Sequence, residues 1–240
     1  QGLQRELNIH TQVEKLTSYC RNAYDWAKFQ AKINFNPIDG MTKHLDKNDG
    51  GNMKFVEIDE LPQLITDIRN HHQRKLAIGL ELMALLFPRP VELRFATWDQ
   101  FNFDKAMWVK PADIMKKGIA HAVPLSKQAI TLLKELEQYR TESELLFAGR
   151  NSLSQPISDN AFNMALNRMG YKGRQNPHGF RHIASTALNN QFSDKEQVVE
   201  ACLAHIKKGV KGTYDKGSHL EERVGMMQWW ADYIDNLVKE

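Results

Sequence analysis

Two side chains that suit the chemistry of phosphate esters lie close together near residue 180. The run His178-Gly179-Phe180-Arg181-His182 follows Asn176-Pro177, a pair typical of turns, so His178 is predicted to lie at the start of a helix. Arg181 lies three residues later and therefore on the same helix face. Because the first turn of a helix has free N–H groups and a partial positive charge, this arrangement predicts an anion site.

A metal site is the alternative interpretation of the same run. His178 and His182 are four residues apart, a spacing that two zinc ligands on one helix can have. Zinc sites need three or four ligands, however, and no carboxylate or cysteine lies near the pair in the sequence. The anion site is therefore the preferred hypothesis, and His182 is expected to be a packing or surface histidine.

Common signatures of other enzyme classes are absent from the chain. It has no phosphate-binding Gly-rich loop ending in Gly-Lys-Ser/Thr, no dinucleotide fingerprint, no Gly-x-Ser-x-Gly and no His-Glu-x-x-His. A scattered set of polar residues remains, in a fixed order along the chain. The set is Arg89 in Arg-Pro-Val-Glu-Leu, Lys116 in Met-Lys-Lys-Gly-Ile-Ala-His-Ala-Val-Pro-Leu, His178-x-x-Arg181, Leu203-Ala204-His205 and Tyr214.

This ordered set resembles the catalytic domain of tyrosine recombinases, and more narrowly the integrases of temperate phages and genomic islands. The resemblance runs from about Lys54 to Asp235. It implies a mainly helical α+β catalytic domain with one small antiparallel sheet. It also implies site-specific recombination of DNA through a 3′-phosphotyrosine intermediate, by which a mobile element is integrated or excised.

The resemblance implies that Tyr214 is the nucleophile and that His178 takes its phenolic proton. A phenol ionises near pH 10, so a base is needed at neutral pH. Lys116 would protonate the leaving 5′-oxygen, with Lys117 as the neighbouring alternative. His205 would donate a hydrogen bond to the phosphate. A packed or surface tyrosine and a packing histidine are the alternatives for Tyr214 and His205.

Arg89 and Arg181 would bind the phosphate that is attacked. Breaking a phosphodiester without a metal requires cations that match the spreading negative charge, and two guanidiniums supply permanently charged, forked donors. Glu92 would hold Arg89 in place. Because the phosphotyrosine conserves the bond energy, the resemblance implies no metal, nucleotide or other cofactor. An arginine that binds carbonyl groups at a helix end is the alternative for Arg89.

The sequence departs from the family just before the first arginine. Related integrases tend to have Thr-Gly there, whereas this chain has Leu86-Phe87-Pro88-Arg89. Proline restricts its own φ and lacks an N–H donor. We therefore expect an altered turn in front of Arg89, with reduced activity or an unusual DNA-free conformation as its effect.

The distribution of charge along the chain favours a polyanionic partner. The net charge is only +3, from 32 basic and 29 acidic residues, but residues 168–216 carry nine basic and four acidic side chains. Double-stranded DNA at attachment sites is the expected partner, and a generally solvated surface is the alternative. The candidate DNA-binding cations are Lys117, Arg174, Lys207, Lys208 and Lys211.

A last helix is predicted from the stripe Leu220, Val224, Met227, Ala231, Ile234 and Val238. Recombinases of this family commonly exchange a C-terminal segment between protomers. A homotetramer on DNA is therefore expected, with residues 219–238 packing on a neighbouring protomer as one hypothesis and on their own domain as the other. Accessory DNA-bending proteins are further candidate partners.

Three regions are predicted along the chain. Residues 1–36 resemble the last helix of a truncated core-binding domain, residues 37–57 form a linker, and residues 58–240 form the catalytic domain. In the catalytic domain, Asp59 is predicted to cap the first helix, and the apolar run from Lys75 to Phe87 is predicted to form a buried helix. Short strands are predicted at 94–103, 107–110 and 121–125. Ser126 is predicted to start the next helix, and further helices are predicted at 158–169, 178–189, 195–203 and 220–238.

Composition is that of an ordinary globular chain of 240 residues, with 42% hydrophobic and 25% charged residues. Two cysteines favour a reducing compartment. Glu81 interrupts the longest apolar stretch, which is too short to cross a membrane. The expected location is the bacterial cytoplasm, at the nucleoid. The functional alternatives are a type IB topoisomerase-like enzyme, a catalytically silent DNA-binding regulator and a helical interaction module.

Overall fold

The computed structural model describes residues 6–7, 9–46, 54–112, 118, 120–204 and 219–239. The chain divides into two compact units, Gln1–Asn52 and Met53–Glu240. No helix within the described ranges is both long enough and apolar enough to cross a membrane.

The first unit contains one long helix, α1 (His10–Phe29), and a 3₁₀ turn at Met41–His44. The helix expected within residues 1–36 is thus confirmed. Its large apolar side chains are exposed nonetheless, since Trp26 is 58% and Phe29 83% accessible. Asn36 ties the chain back to the helix by donating to the Arg21 carbonyl and to Asp25 Oδ1.

The core of the second unit is built around two helices, α2 (Leu61–Arg69) and α3 (Arg74–Leu86). Every residue from Ala77 to Leu86 is buried, as the apolar run of the sequence predicts. Gly79 lets Phe162 approach closely, because a Cβ there would lie 2.4 Å from Phe162 Cε1. The expected cap at Asp59 is wrong: the N-cap of α2 is Glu60, and its side chain makes no capping hydrogen bond.

The next segment forms a short helix, α4 (Pro90–Arg94), and then a three-stranded sheet, β1 (Phe101–Asn102), β2 (Met107–Lys110) and β3 (His121–Pro124). All pairs are antiparallel in the order β1-β2-β3. The prediction of a strand over 94–103 is wrong except for its end. Arg94 still belongs to α4, and Trp98–Gln100 forms a 3₁₀ turn.

Five helices complete the unit as the structure describes it: α5 (Lys127–Glu137), α6 (Ala161–Leu166), α7 (Gly179–Gln191), α8 (Glu196–Cys202) and α9 (Leu220–Lys239). Ser126 caps α5 as predicted, its Oγ accepting from Ala129 N–H. α6 is shorter than expected because a π-helical turn follows it at Asn167–Tyr171, in which Gly170 has a φ of +92°. A mainly helical α+β fold with one small antiparallel sheet is therefore confirmed.

Helix α9 packs on its own domain. Met226, Met227, Trp230 and Ile234 are buried, and Trp230 Nε1 donates to the Ala84 carbonyl of α3 over 2.9 Å. The helix also contacts α2, α5, α7, α8 and β3. In the single chain, residues 219–238 therefore pack intramolecularly, and packing on a neighbouring protomer when DNA is bound stays a prediction.

A charged network centred on one buried acid joins four of these helices. Glu81 of α3 is 5% exposed and accepts from Arg69 Nε and Arg74 Nη1, each over 3.0 Å. Arg69 also pairs with Asp235 of α9 over 2.7 Å, and Arg74 pairs with Glu135 of α5 over 2.6 Å. The buried carboxylate thus lies between two cations that reach outward to further acids.

Candidate active site

Arg89 lies at the N-terminus of α4, where a capping box holds it. Its N–H donates to Glu92 Oε2 over 3.1 Å, and its Nη1 donates to Glu92 Oε1 over 2.7 Å. Pro90 occupies the first helical position, where its missing N–H costs little. The Glu92 side chain is only 2% exposed and that of Arg89 is 28% exposed. The buried acid therefore orients a guanidinium that remains open to solvent.

The turn in front of Arg89 is unusual, as its sequence suggests. Phe87 ends α3 with φ of 36° and ψ of 44°, in the left-handed region that favours glycine. Its side chain is buried, and its carbonyl accepts from Arg181 Nη1 over 3.1 Å. Core packing and this hydrogen bond together hold an aromatic residue in a backbone conformation that it rarely adopts.

Arg181 lies on α7 and is 6% exposed. Besides the Phe87 carbonyl, it donates through Nη2 to the carbonyl of Leu203, the residue that follows α8. Burial, and next the positive charge of Arg89, lower the pKa of Arg181 to about 10. Because Arg181 donates to the carbonyl two residues before Arg89 and feels the Arg89 charge, the two guanidiniums belong to the same region of the domain.

His178 lies at the start of α7, as predicted. Asn176 Oδ1 accepts from the N–H groups of His178 and Gly179, while Asn176 Nδ2 donates to the Lys54 carbonyl. A side chain at Gly179 would bring its Cβ within 2.8 Å of Phe55 Cβ. Glycine thus allows the 54–57 segment to pack directly against the turn that presents His178.

The electrostatic surroundings keep the His178 imidazole neutral. Burial lowers its pKa, and the charges of Arg181, His182 and Arg89 lower it further. A neutral imidazole near two arginines can accept a proton at neutral pH. Arg89, Arg181 and His178 are therefore brought together in one site by α4 and α7.

His182 takes a packing role in this structure. Its ring stacks on the Phe55 ring, with 5.3 Å between the ring centroids and an interplanar angle of 8°. The His178 ring packs edge-on against it, with 5.5 Å between the centroids. Among the residues that the structure describes, no group of three or more His, Cys, Asp or Glu side chains could hold a metal ion.

Lys110 and His121 also belong to this region, and sequence reasoning missed both. Lys110 Nζ donates to Glu92 Oε2 over 2.7 Å and is paired in register with His121 on β3. Burial, followed by the charges of Lys110 and Arg223, lowers the pKa of His121 to about 3. The sequence does hold a signal for the burial of Lys110, because it lies two residues after Trp108. Alternate residues of a strand face the same side, so this lysine is expected on the same side as the tryptophan.

The remaining predicted site residues fall into two groups. Arg174 is exposed, pairs with Glu60 and lies over the Tyr171 ring at 5.3 Å. The others lie outside the described residues, namely Lys116, Lys117, His205, Lys207, Lys208, Lys211 and Tyr214.

Comparison with known proteins finds a family model, described as the phage integrase family, that matches residues 54–217. Two relatives from curated proteins are a prophage integrase, IntZ, of Escherichia coli K12 and the integrase of Enterobacteria phage P4. The first is 31% identical over 98% of this chain and 58% of its own length. The second is 36% identical over 85% of this chain and 50% of its own length. The chain thus spans about half the length of these relatives.

A solved structure with the same fold is that of a lambda integrase tetramer bound to a Holliday junction. It aligns with a TM-score of 0.63 at 14% sequence identity and covers 85% of this chain and 61% of the lambda protein. The likeness shows that the chain shares the fold of the lambda integrase.

Proposed function

Because the chain belongs to the phage integrase family, we propose that it is the catalytic part of a site-specific DNA recombinase. It cuts and rejoins DNA through a 3′-phosphotyrosine and so integrates or excises a mobile element. The observation that carries the proposal is the meeting of Arg89, Arg181 and a neutral His178 in one site. The integrase relatives favour this function over the topoisomerase-like, regulatory and interaction-module alternatives.

Cleavage begins with attack of the Tyr214 phenolic oxygen on the phosphorus. A bond forms between that oxygen and phosphorus, the bond from phosphorus to the 5′-oxygen breaks, and the phenolic proton passes to His178. Lys116 gives a proton to the departing 5′-oxygen. A 5′-hydroxyl of the partner strand then attacks the phosphotyrosine, and the same proton transfers run in reverse. A Holliday junction joins the two rounds of exchange.

Arg89 and Arg181 supply the positive charge that stabilises the transition state. Their guanidiniums are oriented before DNA arrives, one by Glu92 and the other by backbone carbonyls. Removing one such preorganised donor typically slows a reaction by about 10²–10³-fold. His205 adds a hydrogen bond to the same phosphate.

Binding of DNA uses the phosphate backbone and is therefore strongly dependent on salt. The cations proposed for it are Lys117, Arg174, Lys207, Lys208 and Lys211. We place the protein at the bacterial nucleoid, where it assembles as a tetramer on paired attachment sites, with DNA-bending proteins as accessory partners. Packing of residues 219–238 on a neighbouring protomer when DNA is bound stays part of the proposal; in the single chain the same face of α9 is covered by its own domain.

Covalent trapping tests the proposal. The protein is incubated in EDTA with nicked duplexes from the ends of its mobile element and run on a denaturing gel. We expect a retarded protein–DNA band for the native protein and none for Tyr214→Phe. Tyr139→Phe, at an exposed tyrosine on another part of the domain, is the matched control and should keep the band.

Two results would contradict the proposal. Binding in a mobility shift without any covalent band would favour a regulator. A covalent band accompanied by relaxation of plasmids of any sequence, and no exchange with a second duplex, would favour a topoisomerase.

A further inference from the structure

Lys110 is a buried lysine next to the candidate active site. It ends β2, and its side chain is 3% exposed. The alternating burial of the strand places it on the same side as Trp108, and its ammonium lies 5.1 Å from the Trp108 ring centroid. A buried ammonium needs an acid partner. Here the partner is Glu92.

Glu92 is shared between Lys110 and Arg89. Its Oε1 accepts from the Arg89 guanidinium, and its Oε2 accepts from both the Arg89 N–H and Lys110 Nζ. Burial alone would raise the pKa of Glu92, but Lys110 and Arg89 lower it, so the carboxylate stays charged. One buried anion thus lies between two cations, one of which faces the site.

The charge of the described site depends on this second cation. Arg89, Glu92 and Lys110 are joined by hydrogen bonds and together carry a net charge of +1. Without Lys110 the net charge of these joined groups falls to zero, so Arg89 would attract a phosphate less strongly.

We propose that Lys110 is a positioning residue that offsets Glu92, so that the same carboxylate can orient Arg89 without cancelling the positive charge that attracts DNA phosphate. This inference rests on the proposed function, because it takes phosphate to be the anion that Arg89 and Arg181 bind. The negative charge of a capping acid weakens the attraction of the neighbouring arginine for phosphate. The positive charge of Lys110, inside the protein, offsets that of Glu92.

A purely structural role makes a different prediction. The Lys110–Glu92 pair would then matter only for stability, and changes of charge at the two positions would affect folding but not anion affinity. Buried ion pairs add little net stability because desolvation offsets their attraction. Anion affinity in folded variants therefore separates the two roles.

The test is a titration of the purified protein with inorganic phosphate at low ionic strength, in which phosphorus NMR measures binding. A unit charge about 10 Å away changes affinity about tenfold at an effective dielectric constant of about 20. We expect Lys110→Met to weaken phosphate binding about tenfold and Lys110→Arg to keep it. The double variant Glu92→Gln/Lys110→Met restores the net charge of +1 and keeps a side-chain amide oxygen that can accept from the Arg89 guanidinium. It should therefore bind phosphate within about threefold of the native protein, by the same arithmetic.

Lys105→Met is the matched control, because it removes one lysine from the exposed turn between β1 and β2 and should leave binding unchanged. Circular dichroism confirms that each variant is folded, and the double variant decides the matter if Lys110→Met alone does not fold. Native affinity in Lys110→Met, or a double variant as weak as the single one, would overturn the inference. Phosphate binding needs neither cognate DNA nor Tyr214, so this result stands apart from the outcome of covalent trapping.

Discussion

Replacing Phe87 by alanine and by glycine tests whether the turn that leads to Arg89 is strained. Both variants lose the same buried aromatic ring, and both should be less stable than the native protein. They differ in what the backbone allows at φ of 36° and ψ of 44°. We expect the glycine variant to be the more stable of the two, which reverses the usual order of these residues.

The expected difference follows from two opposing effects. Truncating a buried phenylalanine costs about 3–5 kcal/mol in the free energy of unfolding, and this loss is common to both variants. The left-handed conformation costs alanine roughly 1–2 kcal/mol and glycine almost nothing. Glycine loses about 0.5–1 kcal/mol through the greater freedom of its unfolded chain. The free energy of unfolding of the glycine variant should therefore be higher than that of the alanine variant by about 0.5–1 kcal/mol, from the same principles.

Urea unfolding followed by circular dichroism measures the two free energies. The matched pair is Phe95→Ala and Phe95→Gly, at a residue with φ of −93° that is 43% exposed. In that pair alanine should be the more stable by about 0.5–1 kcal/mol. An alanine variant at position 87 that equals or exceeds the glycine variant would refute the strain at Phe87.

Three further changes have expected outcomes. Glu81→Gln should lower the free energy of unfolding by about 1–3 kcal/mol in urea, because two arginines lose the buried carboxylate they share. Gly179→Ala should lower it by about 1–3 kcal/mol through overpacking against Phe55, and should also slow covalent trapping because His178 is displaced. The pKa of His121 is about 3 in the fold, below its ordinary 6.5, so the unfolded chain binds the extra proton as pH falls below 6.5. The stability that neutral His121 contributes is complete above pH 6.5 and should fall by about 2 kcal/mol at pH 5, a loss that His121→Gln abolishes.

Two of these changes have a matched control in the same chain. Glu137→Gln removes an exposed acid 3.8 Å from Arg140 and should change stability by no more than about 0.5 kcal/mol. Gly225→Ala on α9, where an added Cβ meets nothing within 4 Å, should stabilise the protein by about 0.5–1 kcal/mol. Equal losses in Glu81→Gln and Glu137→Gln would contradict the importance of the buried network. A stability difference between native protein and His121→Gln that does not vary with pH would contradict the low pKa of His121.

Local patterns predicted the elements whose signals lie within a few residues. The apolar run before Phe87 indicated a buried helix, and Ser126 indicated a helix start, because both depend on neighbouring residues alone. The same reasoning misjudged 94–103. Aromatic and β-branched residues there favour a strand, but Arg89-Pro90-x-Glu92 starts a helical turn that extends through Arg94.

Contacts between distant elements were beyond the sequence. The alternation of β2 indicates that Lys110 is buried, but its pairing with Glu92 depends on how β2 meets α4. The apolar stripe of α9 likewise indicates docking without indicating on which protomer. The spacing of His178 and Arg181 predicted an anion site, whereas the inclusion of Arg89 and the assignment of His178 as the base came from the resemblance. Their proximity is a property of the tertiary fold.

The packing of α9 determines when this domain can finish folding. Trp230 donates to the carbonyl of Ala84, which precedes it by 146 residues. Contacts between residues so far apart form slowly, and a chain on the ribosome emerges from its N-terminus. The groove on α3 therefore stays open through most of translation and closes only after α9 has been synthesised. A nascent chain would carry both arginines of the site long before it had a complete core to hold them.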